Sequence, residues 1–302
     1  MTDRTPERDG RVVVITGASS GIGLATAHTF AERGARLVLS ARGEEALRRA
    51  EKECLELGAA DTLVVPADVV DEAAVDELAA QAAERFGGVD VWVHSAAVMA
   101  YGRFEDVPSR VWRQVIDTNV HGTANVARTA LRHFRGRDRG TLILLGSLLG
   151  EIATPFMGTY VTSKWAVRGL ARVLSIETRP HPDVHVCVVS PGAVNTPIYL
   201  QAATYAGRLG NPPPPVDQPE KVARAIVRVA DHPRDRLEVG LANRVTRIGF
   251  TAAPAVFDVL VSPLMRWFGL GRQSTPPTEG NVFEPVEDGD SVHGPGGPTG
   301  RA

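Results

Sequence analysis

Lysine is scarce in this chain, with three residues (Lys52, Lys164 and Lys221) against thirty arginines. For positive charge alone the sequence nearly always uses arginine, so a lysine is a hint, not a proof, of a position where ammonium chemistry matters. Cysteine is scarcer still. Cys54 and Cys187 are the two present, at neither metal nor redox spacing, and read as buried or incidental thiols in a reducing compartment. An excess of one charge is also missing. The formal net charge of −2 gives no basic field for nucleic acid, which is excluded as a main partner. Residues 243–271 contain no run of ~18 uncharged apolar residues, so a membrane-spanning helix is not expected there. The first ten residues are charged and lead straight into an apolar strand, which is not the pattern of a secretory signal. A cytoplasmic location is expected.

Apolar strand-like runs alternate with helical patterns, which predicts βαβ units and a parallel sheet. Strands are predicted at Arg11–Thr16, Arg36–Ala41, Thr62–Pro66, Val89–Ser95, Thr141–Leu145, Val184–Val189 and Leu237–Gly240. Helices are predicted at Gly21–Arg33, Glu44–Leu57, Glu72–Phe86, Ser109–Phe134, Thr159–Thr178 and Pro219–Ala230. The expected fold class is α/β: a Rossmann-type, doubly wound, seven-stranded and mostly parallel sheet with helices on both faces. An N-terminal arm (1–10) precedes the dinucleotide-binding and catalytic domain (11–242). A helical extension (243–272) follows, expected to pack on the domain or on a partner subunit. Pro, Gly and acidic residues then dominate 273–302, predicting a mostly disordered tail. Asn281–Pro285 (NVFEP) is the exception, with a phenylalanine able to dock.

Thr16-Gly17-Ala18-Ser19-Ser20-Gly21-Ile22-Gly23 joins the first strand to the first helix. Glycines there allow a tight turn and close approach of a pyrophosphate to the backbone, at the positive end of the helix. This TGxxxGxG spacing resembles the single-domain branch of the short-chain dehydrogenase/reductase family, and further motifs of that family follow in order. They are Asp68-Val69 after strand three, Asn119 in TNVHG, Ser147 after strand five, Tyr160-x-x-x-Lys164, and Pro191-Gly192-Ala193-Val194-Asn195-Thr196 after strand six. The family's usual Asn-Asn-Ala-Gly at the end of strand four is replaced by His94-Ser95-Ala96-Ala97. Ser95 must therefore brace the sheet differently, and His94 reads as a packed strand residue.

The resemblance implies an NAD(P)-dependent oxidoreductase acting on CH–OH and C=O groups. Tyrosine is a poor acid/base at neutral pH, since its phenol titrates near pH ~10. A neighbouring cation favours the phenolate, and Tyr160 and Lys164, four apart on a predicted helix, share one face. In the implied mechanism Tyr160 donates the proton and Ser147 hydrogen-bonds the substrate oxygen. Lys164 lowers the Tyr160 pKa and holds the nicotinamide ribose, and Asn119 anchors a proton-relaying water. Cofactor contacts are expected from Gly17, Ser19, Ser20, Gly21, Ile22, Gly23, Arg42, Asp68, Val69, Ala96, Tyr160, Lys164, Pro191, Gly192, Val194 and Thr196, with no metal.

The position that carries an acid in NAD-preferring folds is Ala41, and the next residue is Arg42. A guanidinium without a competing carboxylate suits a 2′-phosphate, so NADP(H) is expected over NAD(H). Met99, Tyr101, Leu148, Leu149, Phe156, Met157, Ala193, Tyr199 and Tyr205 are expected to wall a pocket for an uncharged, hydrophobic carbonyl or alcohol. Tyr199–Asp217, with its proline run, is expected to form a lid. A homodimer or homotetramer is expected, and a membrane is not an expected partner. Two alternatives stay open: a non-catalytic dinucleotide-binding relative, and contact of residues 245–270 with a membrane surface.

Overall fold

Val12–Thr16 (β1) is a β-branched run buried at every position, which fits a strand covered on both faces. The chain then winds through α1 (Gly21–Ala31), β2 (Arg36–Ser40), α2 (Glu44–Glu56), β3 (Asp61–Val64), α3 (Glu72–Phe86) and β4 (Val91–His94). It continues through α4 (Ser109–Ile116), α5 (Gly122–Arg137), β5 (Gly140–Leu145), α6 (Gly158–Glu177), β6 (Val184–Pro191), α7 (Pro219–Asp231) and β7 (Arg236–Val239). This computed structural model describes residues 9–286 and 289–294. Most of the expected N-terminal arm and the last part of the tail thus lie outside the described residues.

The seven strands run in the order β7-β6-β5-β4-β1-β2-β3, every neighbouring pair parallel. The order reverses between β1 and β4, and ligands of such sheets bind in the crevice beyond the strands' carboxyl ends at that reversal. One face of the sheet packs Leu24 and Phe30 of α1, Leu47 of α2 and Ile226 of α7. The other packs Leu78 of α3, Val126 and Phe134 of α5 and Ala171 of α6. Both thiols lie in the first of these layers, Cys54 and Cys187 being buried and unbridged.

The long helix predicted over 109–134 is divided. One π-helical turn, Asp117–His121, separates α4 from α5 and carries Thr118 and Asn119 inward. Such wide turns recur at functional sites because they re-aim side chains. After β7 come α8 (Leu241–Ala252), α9 (Pro254–Leu264), a π turn at Met265–Gly269 and a strand at Leu270–Ser274. That strand pairs antiparallel with Arg208–Gly210, inside the segment expected to be a lid.

The disorder expected from residue 273 onward is not what the described residues show. Val282 is fully buried against Val98, Val111 and Val115, and Arg110 lies over the Phe283 ring. The apolar NVFEP segment supplies enough buried surface to order its polar neighbours, which a composition count across the whole tail does not weigh.

His94 is a packed strand residue, as expected. Its ring is buried, with Nδ1 2.9 Å from Thr16 Oγ1 and Nε2 3.0 Å from Thr123 Oγ1. Thr123 spends its own proton on the Asn119 carbonyl, so Nε2–H donates to Thr123 and Nδ1 accepts from Thr16. Burial, reinforced by the Lys164 charge, pushes the imidazole pKa down to about 3.

In the unfolded chain this group titrates near pH ~6.5. Its contribution is therefore complete above that value and is lost as pH falls from there toward 3. Between pH 7 and pH 5 this amounts to about 2 kcal/mol. Urea unfolding at the two pH values should show that loss in the wild type and a shallower one in His94→Asn. Equal slopes would mean that the imidazole is not held neutral.

Candidate active site

The β1–α1 loop sets the floor of the crevice. Gly17 has φ +84°, and a Cβ there would lie 2.5 Å from the Ala96 nitrogen. A Cβ on Gly23 would fall 1.9 Å from the Gly17 carbonyl, so α1 can start this close to β1 only as glycine. By contrast with α3, whose first amides are capped by Asp71, α1 has no side-chain cap and no acid in its first turn. Its N-terminal N–H groups and positive dipole end therefore meet the crevice with no carboxylate in the helix's own first turn, a fit for a pyrophosphate.

The crevice encloses about 710 Å³ and is lined by every expected cofactor residue except Gly23, which packs behind the loop. The same walls include Ser147, Tyr160 and Lys164. Ser147 precedes a 3₁₀ turn and accepts a hydrogen bond from the Leu149 amide (3.1 Å), which leaves its proton free to donate. Tyr160 and Lys164 project from the first turns of α6. Lys164 Nζ donates to the Leu145 carbonyl (2.8 Å) and sits 5.4 Å from the Tyr160 ring centre. Burial lowers the Lys164 pKa to about 8. The Tyr160 phenol shifts upward, driven by burial and by Tyr199 beside it, while the Ser147 hydroxyl works in the opposite direction. The lowering expected from Lys164 is not among the causes that act on the phenol, and desolvation, which penalises the phenolate, sets the direction.

Asn119 lies outside the crevice lining. Its Oδ1 accepts from Val98 N (2.8 Å), and Nδ2 donates to Val98 O (2.9 Å) and Ser163 Oγ (3.0 Å). With both amide protons committed, the side chain ties the segment after β4 to α6 and cannot donate to the expected relay water. Thr118, its neighbour in the π turn, does line the crevice. Its buried hydroxyl has no partner among the described residues, and no sequence motif pointed to it.

Of the nine expected pocket residues, Phe156 and Tyr205 stand outside the lining. Pro213, Pro214 and Pro215 do reach the crevice, as the expected lid would. Two sets of walls were not anticipated. Val245, Val256, Leu260, Leu264 and Phe268 of the helical extension form the outer mouth, and the tail covers the opposite end.

The tail contacts are specific. Arg42, expected to meet a cofactor phosphate, donates to the carbonyls of Asn281 and Phe283. Ser291 O accepts from Gly21 N (2.8 Å), the first amide of α1. Asp290 accepts from Gln201 Nε2 (2.9 Å), and His293 pairs with Glu220 (2.6 Å). Residues 279–286 and 289–294 thus strap the crevice from Arg42 to the start of α1.

Residues 11–204 match the family described as short chain dehydrogenase. Over 258 residues the chain is 36% identical to an uncharacterized oxidoreductase of Bacillus subtilis, covering 84% of this chain and 72% of that protein. It is 33% identical to a D-beta-hydroxybutyrate dehydrogenase of Rhizobium meliloti, over 62% of this chain and 73% of that one. Among solved structures, a short-chain type dehydrogenase/reductase from Mycobacterium marinum superposes with a TM-score of 0.69 at 26% identity, over 78% of this chain and 95% of that one. An alcohol dehydrogenase from Thermococcus sibiricus, complexed with 5-hydroxy-NADP, gives 0.65 at 30% identity, over 76% and 96%.

Ending the chain after Thr278 should leave the central sheet protected while freeing the Gly21 amide. Its hydrogen exchange should quicken about five- to tenfold, as for loss of one hydrogen bond of ~1 kcal/mol. Unchanged protection at Gly21 in the shortened chain would show that the strap does not cover it.

Proposed function

The chain belongs to the short-chain dehydrogenase/reductase family of oxidoreductases, and we propose that it uses NADP(H) to interconvert a hydrophobic ketone or aldehyde with its alcohol. The observation that carries this reading is convergence. Ser147, Tyr160 and Lys164 share one crevice with the glycine loop, and Arg42 stands at its far end.

The nicotinamide cofactor supplies the hydride. In the reductive direction Tyr160 gives its proton to the developing alkoxide. The upward shift of its pKa keeps that proton in place until an oxyanion forms. Ser147, oriented by the Leu149 amide, donates a hydrogen bond to the same oxygen. Once the proton has left, the Lys164 ammonium stabilises the phenolate, and its pKa of about 8 leaves it mostly charged at neutral pH. Asn119 acts as a positioning residue, holding α6 and the segment after β4 in register through Ser163 and Val98.

The NADP(H) assignment rests on Arg42. Its carbonyl contacts to the tail leave guanidinium donors over, and Ala41 offers no carboxylate to repel a 2′-phosphate. The NADP analogue bound by the Thermococcus relative supports the same choice. A hydrophobic substrate is supported by the walls Met99, Leu149, Met157 and Tyr199. The reading includes a reducing, cytoplasmic setting, in keeping with two buried thiols. It also includes self-association, for which α6 offers exposed Trp165, Val173 and Ile176.

Tyr160→Phe should reduce NADPH-dependent ketone reduction by about 10²–10⁴-fold with cofactor binding kept. A parallel loss of NADPH affinity would assign Tyr160 a structural role instead. Arg42→Ala should raise the NADPH dissociation constant by roughly 10- to 150-fold, the equivalent of 1.5–3 kcal/mol, and leave NADH nearly unchanged. Equal affinity of the wild type for both cofactors would remove the NADP preference and leave the oxidoreductase reading in place.

A further inference from the structure

A surface helix of a soluble protein turns its apolar stripe inward and its polar face to water. α9 instead turns an apolar stripe to solvent. Val256, Val259, Leu260, Pro263 and Leu264 follow the i, i+3, i+4, i+7, i+8 spacing of one helix face, and all five are exposed. None of the eleven residues of α9 is buried. The pattern extends to its neighbours: Val245 and Ile248 of α8 and Trp267 of the following turn are also solvent-facing, Val245 at 72% and Trp267 at 75% exposure. Apolar patches of this extent on a protein surface mark an interaction site.

The polar contacts of α8 with the body lie underneath. Asn243 of α8 is buried and donates to the Val239 carbonyl (2.9 Å). Arg247 pairs with the buried Glu151 (3.4 Å) and with Glu238 (3.4 Å). α8 is thus fastened to the body by charge and hydrogen bonds on its inner side, while the outer side carries the apolar residues. Around that face stand Arg244, Arg266 and Arg272, exposed and without an ion pair among the described residues. Asp258 is the one acid between residues 241 and 275, and it falls outside the outward stripe.

We propose that the outer face of α8, α9 and the turn at 265–269 docks the protein onto the surface of an anionic lipid bilayer. Apolar side chains would enter the headgroup boundary, Trp267 would sit at its level, and the three arginines would meet lipid phosphates. No helix among the described residues is long and apolar enough to cross a membrane, so this is attachment in the plane of the interface. A bilayer suits this face better than a second copy of the chain. Val245, Val256, Leu260, Leu264 and Phe268 belong both to this surface and to the mouth of the crevice. A rigid protein seated there would close the mouth, whereas fluid lipid covers it and still lets molecules pass. Resting on the reading of that crevice as a substrate pocket, the substrate class is then a lipid-dissolved ketone or alcohol entering from the bilayer side.

Vesicle sedimentation of the full-length protein tests the docking without any turnover. The wild type should sediment with phosphatidylcholine vesicles containing about 30% phosphatidylglycerol, weakly with phosphatidylcholine alone, and less as salt rises. Val259→Glu with Trp267→Glu, two residues away from the crevice walls, should weaken binding by about tenfold or more with an unchanged melting temperature. Replacing Arg244, Arg266 and Arg272 with Gln should abolish the preference for anionic lipid. Absence of binding by the wild type would overturn the proposal. So would a wild-type oligomer that the Val259→Glu, Trp267→Glu pair dissociates, since the occupant would then be a second copy. Loss of ketone reduction in a protein that still binds vesicles would strike at the enzymatic reading and leave the docking intact.

Discussion

The architecture of the crevice depends on how closely α1 approaches the end of β1. Gly23 rests on the carbonyl of Gly17, and Gly17 rests on the backbone of Ala96, with no room for a side chain at either contact. This double backbone contact aims the N–H groups of α1 into the crevice. It also locks the backbone at the end of β4 to the loop. One strand position earlier, His94 bridges Thr16 on β1 and Thr123 on α5. The bridge ties β4 to β1 and to α5 through one buried imidazole.

Burial then decides the electrostatics. His94 and Lys164 are buried and Tyr160 is half-buried, and each is shifted toward its neutral form. A pocket of this kind carries at most one charge cheaply. Lys164 holds it, which is part of why His94 stays neutral. A protonated phenol beside a single ammonium is a poised arrangement, because any oxyanion that forms finds both a proton and a positive charge nearby.

The C-terminal part of the chain closes the crevice from two sides. The helical extension is held by ionic and amide contacts of α8 and by Met265 and Leu270, buried with Met99, Tyr101 and Met157, and turns further apolar surface outward. The tail is held by Val282 in an apolar niche and by polar contacts along the strap to Arg42, Gly21, Gln201 and Glu220. One side therefore presents an apolar entrance, and the other spans the end at Arg42 and the glycine loop.

The alternation of strands and helices, the glycine loop and the ordered Ser147, Tyr160 and Lys164 were legible in the sequence alone. These are local features: a β-branched run makes a buried strand, glycine permits a tight turn, and residues four apart on a helix share a face. What the tertiary structure decided are matters of long-range contact. The π turn at 117–121 and the bonds of Asn119 to Val98 and Ser163 join segments that no periodicity links. The direction of the Tyr160 shift depends on how completely the finished pocket excludes water. The seating of residues 281–283 on Arg42, some 240 positions away in the chain, overrides a composition that reads as disorder. Likewise, the spacing of Val256, Val259, Leu260 and Leu264 marks an apolar helix face in the sequence, but whether that face meets core or solvent is set by what the rest of the fold places beside it.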